Sequence, residues 1–265
     1  MNIADISTQL IYTTVPIFSK KDNNTVSTGT GFLLSIKESP TASIPLLITN
    51  YHVLENSLGG FFEFHLGENG LPSEKSLRIH FDKLLIEENK LGNLDLVAIP
   101  LAAVLDNLQS KKVELFYRSV SPDLIPPKQQ IDNLSALEEI IFIGYPSGIQ
   151  DNVNKLSIIR RGITATPIWN KYNGLDEFLI DAGVYPGSSG SPVFIYNHGS
   201  YTTGNTLNVG SRLFFVGVIS QTMLRKSNTG SENLNLGVVI NSWAMYREIE
   251  SLIARLKRKN HEMIS

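Results

Sequence analysis

A short turn rich in glycine and serine is the first place where residue types and spacing could support catalysis. Residues 187–192 read Gly-Ser-Ser-Gly-Ser-Pro, and Ser189 follows a glycine by two positions. Serine is a weak nucleophile, so a catalytic serine needs a nearby base and a pocket for the developing oxyanion. A preceding glycine allows backbone angles that direct successive N–H groups towards one point. A β-turn of this composition is also common in β proteins, so the segment alone leaves both interpretations open.

A histidine and an aspartate upstream are the candidate partners of this serine. His52 follows the apolar residues 45–49, at the end of a predicted buried strand, whereas His65 and His80 lie in alternating strand-like sequence. Asp95 lies in an apolar run, where a carboxylate is costly unless it is hydrogen-bonded or paired. As a lone feature, Asp95 is more commonly a turn residue that begins a strand.

The chain order of these residues favours a catalytic set. Asp95 follows His52 by 43 residues, and Ser189 follows Asp95 by 94 residues. The best-studied Ser-His-Asp triad has the same order, with gaps of roughly 45 and 93 residues. Three matches in register are much more specific than any one of them.

With these residues in place, the chain resembles the trypsin-like serine peptidases. The nearest resemblance is to bacterial, disulfide-free protease domains of the Deg/HtrA-like and glutamyl-endopeptidase-like types, without a PDZ domain. It covers the chain from Gly29 to about Arg247. The segments that carry it are GTGFLL, LLITNYHVL, LDLVAI, FIGYPSG, DAGVYPGSSGSPVF and FVGVIS.

The resemblance implies an all-β fold of two antiparallel six-stranded β-barrels with a C-terminal α-helix. We expect a first barrel in residues 1–115, a linker and second barrel in 116–240, and the helix in 241–265. Within this plan, residues 105–136 are expected to have little regular structure because they mix charges with prolines. The glycines at 29–31 suggest a β-bulge or a barrel corner, and residues 223–235 suggest a polar loop.

The resemblance also implies roles for the catalytic set. Ser189 would attack the scissile carbonyl, His52 would act as the base, and Asp95 would orient His52. The backbone N–H groups of Gly187 and Ser189 would form the oxyanion hole. Ser220 would lie behind Asp95 and begin the strand that pairs with substrate backbone. The implied activity is that of a serine endopeptidase acting through an acyl-enzyme.

A specificity pocket for the P1 side chain is expected beside the nucleophile, with its floor near Gly183. None of its expected residues is charged, so we predict cleavage after small or apolar P1 residues. Asp181 would favour a basic P1 residue instead if its carboxylate turned into the pocket. Ile219 stands where the glutamyl-endopeptidase branch has a histidine, which argues against an acidic P1 residue. The expected pocket residues are Ala182, Gly183, Val184, Ser220, Gln221, Thr222, Gly237 and Val238.

Composition narrows the function classes. The 265-residue chain has a net charge of −2, which gives no general attraction to nucleic acid or anionic membranes. It has no cysteine, which excludes disulfides, thiolate catalysis and cysteine-bound metals. We expect a bacterial, cytoplasmic protein without a signal peptide, metal or other cofactor, acting on protein or peptide substrates. Its activity would be restrained by narrow specificity, by a disordered oxyanion loop or by a regulatory protein partner.

Two alternatives to a trypsin-like enzyme are an α/β-hydrolase and a binding module without catalytic activity. An α/β-hydrolase would need glycine where Ser191 stands and a catalytic histidine after the acid. The dominant β pattern argues against that fold. A catalytically silent binding or regulatory module with the same fold remains the alternative, although no member of the catalytic set is missing.

Overall fold

Two antiparallel β-sheets contain most of the regular structure of the chain. The computed structural model describes residues 2–21, 26–204, 206–227 and 230–264. The first sheet has seven strands in the order β5-β4-β1-β2-β3-β6, with β7 paired to β4. Its strands are β1 (Thr14–Lys20), β2 (Val26–Lys37), β3 (Ser43–Thr49), β4 (Gly59–Glu68), β5 (Leu71–Phe81), β6 (Val97–Pro100) and β7 (Leu115–Phe116).

The second sheet closes into a six-stranded barrel, in the order β10-β15-β14-β11-β8-β9. A separate hairpin, β12 with β13, extends from it. The strands are β8 (Glu139–Gly144), β9 (Ile158–Thr164), β10 (Glu177–Asp181), β11 (Pro192–Asn197), β12 (Ser200–Thr203), β13 (Thr206–Val209), β14 (Arg212–Ser227) and β15 (Gly230–Asn241).

Short helices connect these strands, and one long helix follows the second barrel. The α-helices are α1 (Ile6–Ile11), α2 (Tyr51–Leu54), α3 (Lys83–Glu88), α4 (Ala102–Ser110), α5 (Lys128–Asp132) and α6 (Ser242–Ile264). Single 3₁₀ turns occur at Pro122–Leu124, Pro146–Gly148 and Tyr172–Gly174. Within the described ranges, no helix has the length and apolar character needed to cross a membrane.

The predicted all-β class with a C-terminal helix is confirmed, but the first sheet differs from the expected six-stranded barrel. It has a seventh strand, and its end strands β5 and β6 do not pair within the described residues. Strand β6 is only four residues long and ends at Pro100, which lacks the N–H group that a strand ladder needs.

Three local predictions are wrong for physical reasons. The predicted irregular segment 105–136 begins inside helix α4, which spans residues 102–110, because Ala, Leu and Gln favour a helix despite the charges that follow. Strand β2 passes through Gly29 and Gly31 in continuous register with β1, so the predicted β-bulge is wrong, whereas the alternative of a barrel corner stays a prediction. Residues 223–227 and 230–235 extend the β14–β15 hairpin. Leu224 and Leu234 are exposed there, so the alternation of a half-buried strand is missing.

One apolar cluster joins both sheets to the C-terminal helix. Phe32 of β2 packs near Phe215 of β14, with ring centroids 5.4 Å apart. Helix α6 adds Met245, Ile249 and Leu252 to the same buried cluster. Burial of this shared surface fixes the first sheet against the second, and the candidate site lies where the sheets meet.

His65 on β4 links the stability of the fold to pH. Its ring lies edge-on to Tyr12 at 5.3 Å, and its Nδ1 is buried without a hydrogen-bond partner among the described residues. Burial lowers the pKa of the His65 imidazole below its ordinary value. The unfolded chain therefore binds a proton at low pH that the folded chain resists, and folding stability is lost as the pH falls.

We expect the free energy of unfolding to decrease as the pH falls below about 6.5, and His65→Gln to reduce this dependence. Urea unfolding at pH 8 and pH 5 measures it. The matched control is His80→Gln, because His80 is exposed on the neighbouring strand β5. An equal pH dependence in the parent chain and in His65→Gln would contradict the assignment.

Candidate active site

His52 and Asp95 form a paired imidazole and carboxylate at the edge of the first sheet. His52 Nδ1 lies 2.6 Å from Asp95 Oδ2, and the His52 backbone N–H donates to Asp95 Oδ1 at 2.9 Å. The Ser220 hydroxyl donates to Asp95 Oδ2 at 3.2 Å. The carboxylate therefore contacts two parts of His52 and is itself oriented by β14 of the second barrel.

Local chain geometry brings the pair together. Helix α2 begins two residues after β3, so His52 is presented in its first turn. Asp95 lies in the turn before β6, as the alternative interpretation from the sequence allowed, and its side chain is 33% exposed. The Asp95 carbonyl accepts hydrogen bonds from Asn50 Nδ2 at 2.8 Å and from the Tyr51 backbone N–H at 3.2 Å. These bonds fix the Asp95 turn against the start of α2.

Glycines at two positions of the serine turn give it its shape. Gly187 and Gly190 have φ angles of +88° and +89°, in the left-handed region that favours glycine. A Cβ atom on Gly187 would lie 2.5 Å from the Tyr145 carbonyl oxygen. Within the described residues, the N–H groups of Gly187 and Ser189 donate to no backbone carbonyl. Both remain available to an incoming anion.

Thr30 of the first sheet is bonded to the turn on both sides. Its hydroxyl donates to the Gly187 carbonyl at 2.8 Å and accepts from the Tyr145 backbone N–H at 3.0 Å. Its own N–H donates to the Ser189 carbonyl at 2.9 Å. Thr30 is fully buried, so these bonds have no competition from water.

The Ser189 hydroxyl is near the pair but is not bonded to His52. Ser189 Oγ donates to the Ser220 carbonyl at 3.0 Å. Between these described residues, no hydrogen bond joins Ser189 to the His52 ring. The backbone of the turn is already fixed, so only a rotation about the Cα–Cβ bond of Ser189 can move its hydroxyl from the Ser220 carbonyl to the His52 ring.

The expected pocket residues lie together beside the turn, but the space around two glycines is already filled. A Cβ on Gly237 would lie 2.5 Å from Val184 Cγ2. A Cβ on Gly183 would lie 2.9 Å from Arg160 Nη2. Ala182 and Val184 are buried, whereas Asp181 is exposed. Ser220, Gln221 and Thr222 follow one another on β14, and Gly237 and Val238 face them on β15.

Arg160 is the residue at this site that the sequence did not indicate. It lies on β9, 29 positions before Ser189, in no recognisable motif. Only the pairing of β9 with β10 brings it beside the segment before Ser189. The alternation of β9 could have placed it on the same face as Gly162, which packs towards Ala182.

Comparison with known proteins identifies the family. Residues 29–200, well over half of the chain, match the model of the trypsin-like peptidase domain. The chain belongs to the trypsin-like peptidase family. The sequence-based prediction of a trypsin-like peptidase is thereby confirmed. A search of curated protein sequences gave no match.

Solved structures that resemble this trypsin-like peptidase are serine proteases of low sequence identity. The serine endoprotease from Yersinia pestis has a TM-score of 0.51 at 14% identity, and the match covers 93% of this chain and 64% of the Yersinia chain. The active form of the Rv3671c protease from M. tuberculosis has a TM-score of 0.47 at 14% identity, and the match covers 92% of this chain and 82% of the Rv3671c chain. The thermostable serine protease AL20 from an extremophilic microorganism has a TM-score of 0.45 at 13% identity, and the match covers 90% of this chain and 95% of the AL20 chain.

Among the described residues, no three His, Asp or Glu side chains cluster as metal ligands would.

Replacing Thr30 by valine removes the hydroxyl and leaves the Gly187 carbonyl and the Tyr145 N–H buried without a partner. We expect Thr30→Val to lower the free energy of unfolding by about 2–4 kcal/mol, and to slow labelling of Ser189 because the turn is less well positioned. Urea unfolding and the rate of reaction with a fluorophosphonate measure the two effects. Thr30→Ser, which retains the hydroxyl, should behave much more like the parent chain. If both variants behaved alike, the hydroxyl would have no special role.

Proposed function

We propose that the chain is a serine endopeptidase that uses Ser189, His52 and Asp95 as its catalytic triad. The observation that carries this proposal is the His52–Asp95 contact of 2.6 Å beside a glycine-shaped serine turn. Membership of the trypsin-like peptidase family supports it. A peptide or protein is therefore the substrate class.

In the proposed reaction, Ser189 Oγ attacks the scissile carbonyl carbon while its proton passes to His52 Nε2. The carbonyl oxygen becomes an oxyanion, which accepts hydrogen bonds from the N–H groups of Gly187 and Ser189. His52 then donates the proton to the leaving amine, and the acyl-enzyme forms. Water repeats the sequence and releases the acid. Asp95 keeps the His52 Nδ1 proton in place throughout and stabilises the imidazolium.

The Ser189 hydroxyl must leave the Ser220 carbonyl before this reaction can begin. That carbonyl is on the strand proposed to pair with substrate backbone. A substrate N–H that bound the Ser220 carbonyl would compete with Ser189 Oγ for it and free the hydroxyl for His52. The hydrogen bond from Ser189 Oγ to the Ser220 carbonyl also favours the alternative function, because it keeps the hydroxyl away from His52. In that alternative the chain is a catalytically silent binding or regulatory module.

The P1 preference, the location and the regulation of the enzyme stay predictions. The expectation of a small or apolar P1 residue assumed uncharged pocket residues and free space at Gly183 and Gly237. Arg160 lies against Gly183, and Val184 lies against Gly237. The assumption of an uncharged pocket therefore leaves out the positive charge of Arg160. A cytoplasmic location and control by a protein partner rest on the sequence argument alone.

A fluorophosphonate, which reacts with an activated serine, distinguishes enzyme from module. We expect the parent chain to be labelled once per molecule, and Ser189→Ala not to be labelled. Ser191→Ala, two positions away in the same turn, is the matched control and should retain labelling. Intact-mass spectrometry measures the number of labels bound to the parent chain and to each variant. An unlabelled parent chain with native-like unfolding would support the silent module.

Substitutions within a triad are strongly non-additive, because its members act as a unit. We expect Ser189→Ala and His52→Ala each to lower kcat by about 10⁴-fold or more, and the double variant to lose little beyond either single one. Asp95→Asn should cost about 10⁴-fold by favouring the wrong His52 tautomer. Peptide hydrolysis under saturating substrate measures these effects. A double variant whose loss equalled the product of the single losses would refute the triad.

A further inference from the structure

Arg160 places a guanidinium at the expected floor of the P1 pocket. Its Nη2 lies 2.9 Å from the position that a Cβ on Gly183 would occupy. Its Cζ lies 5.1 Å from the centroid of the Tyr185 ring, within the range of a cation–π contact. Gly183 and Tyr185 come six and four positions before Ser189. The charge is therefore attached to the segment that leads directly into the nucleophile.

The charge of Arg160 is not neutralised by the described part of the chain. Arg161, its neighbour on β9, pairs with Glu139 at 2.5 Å, but no described carboxylate lies within ion-pair distance of Arg160. Asp181, the nearest acidic residue in the sequence to Gly183, is exposed and forms no ion pair with Arg160 among the described residues. None of the hydrogen bonds between described residues uses an Arg160 N–H.

The contact with Tyr185 leaves the edge of the guanidinium available. Arginine has five N–H donors and stays protonated at all working pH values. A cation–π contact with a ring engages the face of the guanidinium, while the donors project from its edge. Arg160 is only partly buried, so an incoming side chain can reach it. A fixed, unpaired, accessible guanidinium is suited to a planar carboxylate.

We propose that Arg160 is the specificity-determining residue of the P1 pocket and selects substrates with an acidic side chain, glutamate above all, at P1. This inference rests on the proposed peptidase function of the same site. A glutamate carboxylate is longer than that of aspartate by one methylene, and it approaches the floor, where Arg160 lies. A lysine or arginine at P1 would meet a like charge there.

The neighbouring residues support an acidic P1 side chain over an apolar one. Val184 lies against the position that a Cβ on Gly237 would occupy, so the free space assumed there for an apolar side chain is reduced. Thr222 and Asn233 form a polar wall, joined by a hydrogen bond of 3.1 Å from Thr222 Oγ1 to Asn233 Oδ1. Ile219, which argued against an acidic P1 residue, is fully buried. It is Arg160, from another strand, that supplies the positive charge.

Four peptides that differ only at P1 test this inference. They carry Glu, its neutral isostere Gln, Leu or Lys, and kcat/KM is measured for each. We expect the parent chain to prefer Glu over Gln by about tenfold or more, as a charged hydrogen bond allows. Arg160→Gln should bring that ratio close to one, Arg160→Lys should retain part of it, and Arg160→Glu should make Lys the preferred residue. Arg161→Gln is the matched control and should leave the ratio unchanged.

The outcomes separate this inference from the proposed function. Fluorophosphonate labelling does not depend on P1, so a labelled parent chain that cleaves the Leu peptide best, or an Arg160→Gln variant with an unchanged Glu/Gln ratio, overturns the role of Arg160 alone. A parent chain that is neither labelled nor active overturns both. A urea-unfolding midpoint of Arg160→Gln equal to that of the parent chain shows that the variant is folded. If Arg160→Gln fails to fold, the Arg160→Lys and Arg160→Glu ratios decide.

Discussion

The hydrogen bonds of Thr30 are the constraint on which the active-site geometry depends. One fully buried hydroxyl from the first sheet both donates to the Gly187 carbonyl and accepts from the Tyr145 N–H. The Thr30 carbonyl in turn accepts from the Thr49 hydroxyl at 2.8 Å, two residues before α2 begins. A single position of β2 thus links the serine turn to the end of the strand that leads to His52. Because these groups are buried, each bond would be costly to leave unmade.

This constraint explains why the candidate catalytic residues can come from different sheets and still lie close to one another. His52 and Asp95 belong to connections of the first sheet, whereas Ser189 and Ser220 belong to the second. Ser220 is bonded to both groups, through its hydroxyl to Asp95 and through its carbonyl to Ser189. Apolar packing positions the sheets coarsely. The buried polar bonds then fix the relative placement of the side chains, because hydrogen bonds are directional and apolar contacts are not.

Glycine has opposite consequences in the serine turn and in the pocket. Gly187 and Gly190 are required for their positive φ angles and for the close approach of neighbouring backbone. At Gly183 and Gly237 the missing Cβ makes room for Arg160 and Val184 from other parts of the chain. A glycine in a pocket segment therefore does not by itself create an empty pocket, since interiors are close-packed and a neighbour takes the space. The positive charge beside the expected pocket therefore comes from Arg160, which is not one of the residues expected to line it.

The sequence by itself determined the fold class, the C-terminal helix, the family and the three residues of the candidate triad, because each of these is carried by short local patterns in a definite order. The pairing of His52 with Asp95 is a contact that this order implied. Only the tertiary structure decided the number of strands in the first sheet, the Ser189–Ser220 bond and the position of Arg160. These features depend on which strands become neighbours and on which rotamers their side chains adopt. Neither is written in any local stretch, because packing between residues distant in the chain selects both.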